Sequence, residues 1–289
     1  MIRTWFVRNR ERFVVWLVAL LVVLASVGLY FVQPYPVDER AIEGVSDDLA
    51  LTVSETDSGL VVRPADGDPT TGLVLSPGAL VPNDAYVPLA GDIATETGLT
   101  VYLVDAPLQL AILDVDAASA VVDAHPEVDH WYVGGHSLGG AMACRYADAN
   151  ADRLAGVVLL GAYCEVDVSD TDLDVLTVVG TRDGIVNREA VATSRDLVPA
   201  DATFVEVEGM NHTQVGVYSG QDDTPGTISG PEARERVAST VASWLDSQTA
   251  ESVGSRQSPR TASTRTANTS AAVPSSASSA VTPAAVADQ

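Results

Sequence analysis

WYVGGHSLGGAMACRYA, residues 131–147, places four glycines around one serine. An apolar run at 130–135 comes before the serine and an alanine-rich stretch at 138–150 after it. Glycine inside regular structure costs roughly 0.5–1 kcal/mol relative to alanine. Four together therefore imply a very tight turn or a close approach to the backbone. Gly135-His136-Ser137-Leu138-Gly139 fits the pattern G-x-S-x-G, in which a strained strand-to-helix turn lifts a serine hydroxyl above a sheet. Gly135 and Gly139 are needed where neighbouring backbone crowds the turn, and Gly140 where the helix nears the sheet. The five residues alone are a weak signal. Between an apolar strand and a helix they are a strong one.

The surrounding pattern has the same character. Segments 49–54 and 59–64 read as a hairpin, and 72–78, 99–104, 130–135, 154–162, 173–180 and 202–207 as further strands. Helical patterns fall at 84–97, 109–124, 138–150, 188–197 and 231–246. Continuous apolar strands alternating with helices predict an α/β fold with a mostly parallel central sheet covered on both faces. Ligands in such sheets bind beyond the carboxyl ends of the strands, and that edge is where the candidate residues fall. Ser137 needs a base to take its proton and an acid to orient the base. His212, in VEGMNHTQ, is the only histidine after Ser137 and follows the last strand. Asp183, in VVGTRDGIVN, follows the strand before and is the leading acid, with Glu165 as its rival. The expected oxyanion donors are the backbone N–H groups of Leu138 and Ala79, with Leu80 close behind. His125 and His130 read as loop residues, and His136 as packing within the elbow.

Composition narrows the chemistry further. The chain has 289 residues, and its 16 basic residues are all arginine. Without lysine there is no Schiff base with pyridoxal phosphate and no nucleotide P-loop. No cofactor is called for. Four scattered histidines lack metal-ligand spacing. Residues 33–247 carry 36 acidic residues against 9 arginines, a net charge of −27. That balance argues against a nucleic-acid partner and resembles proteins of extreme halophiles, where molar salt screens the self-repulsion. The two cysteines, Cys144 and Cys164, read either as small core residues or as a pair in an oxidising compartment.

The ends of the chain differ from its middle. Residues 13–32 run twenty positions without a charge, long enough for a bilayer core and longer than the apolar region of a cleaved signal peptide. Arg3, Arg8, Arg10 and Arg12 precede this run, and Asp38 and Glu39 follow it. The positive-inside rule then predicts a cell-membrane protein with a short cytoplasmic tail (1–12), an anchor (13–32), a linker (33–45) and an external catalytic domain (46–247). Residues 248–289 are rich in Ser, Thr, Ala and Pro and read as a disordered tail, with a glycosylation sequon at Asn268.

The stretches SPGALVPNDAYVPLA, APLQLAIL, GGHSLGGAMACRYA, VVGTRDGIV and GMNHTQVGVYSGQ resemble the α/β-hydrolase superfamily over about residues 72–247. The likeness is to its small lidless branch, similar to dienelactone hydrolases, and more narrowly to membrane-anchored α/β-hydrolase fold-5 proteins. It implies Ser137, Asp183 and His212 as a catalytic triad. Such proteins usually read P-G-G after the third strand, where this chain has Ala79. The dienelactone branch often uses a cysteine nucleophile, where this elbow has serine. The short gap between the strands ending near 162 and beginning near 173 leaves no room for a lid. The expected activity is hydrolysis of a small ester, lactone or thioester. The alternative is a catalytically idle fold serving as a surface binding module.

Overall fold

The computed structural model describes residues 10–31, 33–46, 50–68 and 70–257. Residues 1–9 and the expected tail from 258 on, with Asn268, lie outside these. Eight strands form one sheet: β1 (Leu51–Thr56), β2 (Gly59–Pro64), β3 (Thr71–Ser76), β4 (Thr100–Val104), β5 (His130–His136), β6 (Gly156–Leu160), β7 (Asp174–Gly180) and β8 (Thr203–Val207). Their order is β1-β2-β4-β3-β5-β6-β7-β8. β1 pairs with β2, and β2 with β4, antiparallel, whereas every pairing from β4 to β8 is parallel. The expected α/β architecture is therefore present.

Alternation along each strand feeds two cores. Leu73, Leu75, Val101 and Leu103 point to one face, and Val74, Tyr102 and Val104 to the other. Side chains two apart share a face, so a strand buried on both sides must be apolar throughout. The first core is closed by helices α3 (Val87–Thr97) and α7 (Gly230–Gln257), which supply Leu89, Ile93, Val237 and Val241. The second is closed by α4 (Ala117–Ala124) and α5 (Leu138–Asn150), with Val121, Val122, Ala143 and Tyr146.

Four stretches depart from the sequence pattern. The expected helix over 109–124 is two short 3-10 turns, Pro107–Gln109 and Ala111–Leu113, followed by α4. Leu108 and Gln109 both adopt φ 54°, which no right-handed helix accommodates. The segment read as a linker carries a helix, α2 (Glu39–Ser46), and Tyr35, Val37, Ile42 and Val45 pack against the first core. α7 runs to Gln257, past the expected boundary at 247, because no proline interrupts it. α1 (Arg10–Phe31) forms over the apolar run, and its described apolar side chains face outward, Trp16 being 75% exposed. Among the described residues no helix is long and apolar enough to cross a membrane.

Candidate active site

Ser137 sits between β5 and α5 with φ 53° and ψ −120°, a conformation that L-residues avoid. The turn is held on all sides. A Cβ on Gly139 would collide with the carbonyl oxygens of Ser76 and Pro77, and one on Gly135 with the backbone of Gly139. The Ser137 N–H donates to Leu160 O at 2.9 Å, tying the elbow to β6. The serine is half-buried at the carboxyl edge of the sheet.

Two loops bring Asp183 and His212 together. His212 Nδ1 donates to Asp183 Oδ2 at 2.8 Å, and both side chains are 1% exposed. The other carboxylate oxygen, Asp183 Oδ1, accepts the N–H groups of Ile185 (2.9 Å) and Val186 (2.8 Å). Burial pushes this carboxyl upward, but the His212 bond and charge and the two backbone donors outweigh it. The result is a pKa below the ordinary 3.8. With Nδ1–H committed to Asp183, Nε2 of His212 is left as an acceptor, and it is buried without a partner. Room for the pair comes from Gly161, which follows β6 at φ 53°. A Cβ there would lie 3.0 Å from His212 Nδ1 and 3.3 Å from Asp183 Oδ2.

Glu165 lies elsewhere. It is exposed and bonds Arg145 at 2.9 Å, so it is not brought to His212. The loop after β3 does reach the elbow, as the Gly139–Pro77 contact requires. Among the described residues the N–H groups of Leu138 and Ala79 take no hydrogen-bond partner, as free donors at a helix N-terminus and an adjoining loop allow. Leu80 is different: its N–H donates to Gln109 O at 2.7 Å, which removes it as an oxyanion donor.

Three further residues support the site. His136 is 2% exposed, and its ring packs 4.4 Å from that of His212, centroid to centroid. Its Nδ1 shares a 2.9 Å hydrogen bond with Tyr86 Oη, which accepts the Gly78 N–H at 3.0 Å. That chain links the base, the elbow and the loop bearing Ala79. Burial first, and His212 second, hold the His136 pKa well below 6.5, so the ring stays neutral. Asp223 ties the acid and base turns together. Its Oδ1 accepts from Gly184 (2.9 Å) and Thr224 (2.6 Å), and its Oδ2 from His212 (2.8 Å) and Thr213 (3.4 Å). Neither Tyr86 nor Asp223 carries a signal in the sequence, because both act on residues distant along the chain. Cys144 of α5 and Cys164 after β6 form a disulfide, with Cα atoms 5.5 Å apart.

A family model described as the alpha/beta hydrolase family matches residues 72–235. The hyperthermophilic esterase from the archaeon Pyrobaculum calidifontis superposes with a TM-score of 0.52 at 16% identity, covering 71% of this chain and 89% of its own. An esterase/lipase from an uncultured bacterium gives 0.51 at 14% identity, with the same coverages of 71% and 89%. At these identities the likeness is one of fold. No curated protein matches the chain.

Proposed function

The chain belongs to the α/β-hydrolase family, and from that premise we propose that it is a serine hydrolase cleaving carboxylic ester, lactone or thioester bonds. The observation that carries this reading is the buried His212–Asp183 pair, with its partnerless Nε2, at the sheet edge that presents Ser137 in a strained elbow. His212 Nε2 takes the Ser137 Oγ proton as Oγ attacks the carbonyl carbon. The N–H groups of Leu138 and Ala79 bind the oxyanion. The tetrahedral intermediate then collapses to an acyl-enzyme, and the imidazolium protonates the departing alcohol or thiol. Water repeats the sequence with the same base, releasing the acid and restoring Ser137. Throughout, Asp183 holds the Nδ1–H tautomer and stabilises the imidazolium. His212 Nε2 has no partner in the free protein, and its hydrogen bond to Ser137 Oγ forms when substrate is bound, as is common for catalytic contacts.

The same reading places the protein on the cell membrane, with the catalytic domain outside. Support comes from the twenty uncharged residues at 13–32, the arginines before them, the outward apolar side chains of α1 and a disulfide suited to an oxidising compartment. Ser137→Ala is expected to fold but to lose hydrolysis of short-chain aryl esters and labelling by a fluorophosphonate. Undiminished labelling of that variant would overturn the assignment. Protease added to intact cells should reach the domain, and full protection until lysis would reverse the topology.

A further inference from the structure

The large exposed hydrophobic side chains described in this domain fall at one edge of the sheet, and three of them lie in a single loop. Outside α1, the large hydrophobic side chains exposed among the described residues are Leu108, Ile112, Leu113 and Ile185, at 55%, 53%, 55% and 39%. Three follow β4 and one follows β7, so all lie at the carboxyl edge of the parallel strands, where Ser137 sits. In a chain segment of net charge −27, such an apolar concentration at one edge marks a binding surface rather than chance exposure.

The backbone near it is strained. Among the described residues four non-glycine positions have positive φ: Ser137, Leu80, Leu108 and Gln109. Left-handed backbone costs a leucine roughly 1–2 kcal/mol, and such strain clusters at functional sites. Leu80 joins the two strained loops through its N–H to Gln109 O. The Ala111–Leu113 turn packs against α5, the helix that begins beside Ser137.

Leu80 also makes a second link. Its carbonyl accepts the Tyr35 N–H at 2.8 Å. Tyr35 is four residues past Phe31, the last residue of α1, and four residues span at most about 14 Å. The chain leaving α1 then docks against the segment after His212. Asp38 N–H donates to Val217 O, Ser219 N–H to Pro36 O, and the Tyr35 and Tyr218 rings lie 5.7 Å apart. On the anchor reading proposed above, a bilayer at residues 13–32 lies within a short reach of the loop that carries Ala79.

We propose that Leu108, Ile112 and Leu113 form an apolar lip that receives the aliphatic chain of an ester presented at the membrane surface. The substrate class is an uncharged long-chain ester. Asp57, Asp105 and Asp114 line the surface beside Pro107 and Gln109 and disfavour an anionic headgroup. The proposal rests on the serine-hydrolase and anchor readings above. In it, α1 concentrates the enzyme where its substrate resides, and the lip replaces bilayer contacts as the chain is drawn out. Contacts to a part of the substrate remote from the reacting bond then position the ester carbonyl.

The test uses the full chain reconstituted in phosphatidylcholine vesicles containing dioleoylglycerol, with 4-nitrophenyl acetate as the soluble comparison. Activities are normalised to the amount of enzyme labelled by fluorophosphonate, which counts folded sites. The measured quantity is the ratio of vesicle-borne to soluble ester turnover. In the triple variant Leu108→Asn, Ile112→Gln, Leu113→Gln this ratio should fall at least tenfold. Asparagine at 108 tolerates the left-handed backbone. Leu108→Met alone should restore part of the ratio in that background. A ratio unchanged in the triple variant, with labelling intact, overturns the lip and leaves the serine-hydrolase reading standing. Absent labelling of the unmodified protein overturns both.

Discussion

Replacing Asp183 by asparagine separates the role of its charge from that of its shape. The carboxylate serves three donors: Oδ1 accepts from Ile185 and Val186, and Oδ2 from His212 Nδ1. An amide has one acceptor oxygen. If that oxygen keeps the two backbone N–H groups, the NH₂ group faces His212 Nδ1. The imidazole must then accept at Nδ1 and carry its proton on Nε2, which leaves no acceptor for the serine proton. The opposite orientation points NH₂ at two part-buried donors. Leaving them unpaired costs about 1 kcal/mol each, the low end for such groups, so the unproductive tautomer dominates by about 30-fold at about 1.4 kcal/mol per decade. Loss of the charge opposite the developing imidazolium adds to this. The corresponding change in a serine-protease triad costs about 10⁴ in kcat. For Asp183→Asn we expect acylation to slow by about 10³–10⁴ with the fold retained. Glu165→Gln loses only an exposed ion pair with Arg145, of the kind worth about 0–1 kcal/mol to stability, and should change acylation less than about tenfold. Single-turnover acylation by a 4-nitrophenyl ester measures both. An Asp183→Asn enzyme within tenfold of the parent would refute the tautomer argument, and a crippled Glu165→Gln enzyme would reassign the acid.

Other outcomes follow from the same contacts. Buried His136 stays neutral when folded but takes a proton near pH 6.5 when unfolded. Its contribution to stability is thus complete above about pH 6.5 and falls by about 1.4 kcal/mol per pH unit below it. Asp183, with its pKa lowered, keeps its own contribution above the ordinary 3.8 and loses it only as pH falls through the lower folded value. The stability difference between the parent and His136→Gln should therefore narrow by roughly 2 kcal/mol from pH 6.5 to 5 in urea titrations, and a constant difference would contradict the buried neutral ring. Asp223→Ala should lower kcat by about 10–100-fold with KM little changed, because the turns holding Asp183 and His212 lose their common acceptor. Partial recovery in Asp223→Asn checks that hydrogen-bond acceptance is the cause. Reducing the Cys144–Cys164 bridge, 20 residues apart in sequence, should cost about 3 kcal/mol of stability by loop entropy, read as a shift in denaturant midpoint with dithiothreitol. Finally, the full chain in detergent should melt at higher temperature as salt rises toward molar, since residues 33–247 carry −27. A flat or falling melting temperature would remove the salt argument.

Local pattern carried the architecture. Strand and helix periods depend on neighbours within a few residues, so the alternation from 49 to 246 foretold the strands of the sheet and most of its helices. The elbow was legible for the same reason, since strand, turn and helix adjoin. His212 and Asp183 stood out because few residues of the right type follow the right strands, not because anything local marked them. Tertiary structure alone decided the rest. The choice between Asp183 and Glu165 depended on which loop reaches His212, a contact across 29 residues. Gly161, Tyr86 and Asp223 matter through atoms donated by distant segments, and Cys144 meets Cys164 only because α5 packs over β6. Residues 33–45 read as a linker because their few apolar side chains gain a core only after the sheet exists. The 107–113 loop shows an apolar helical spacing. The folded chain buries Ala111 but leaves Leu108, Ile112 and Leu113 exposed at the sheet edge, with Leu108 and Gln109 on left-handed backbone, which no one-dimensional period encodes.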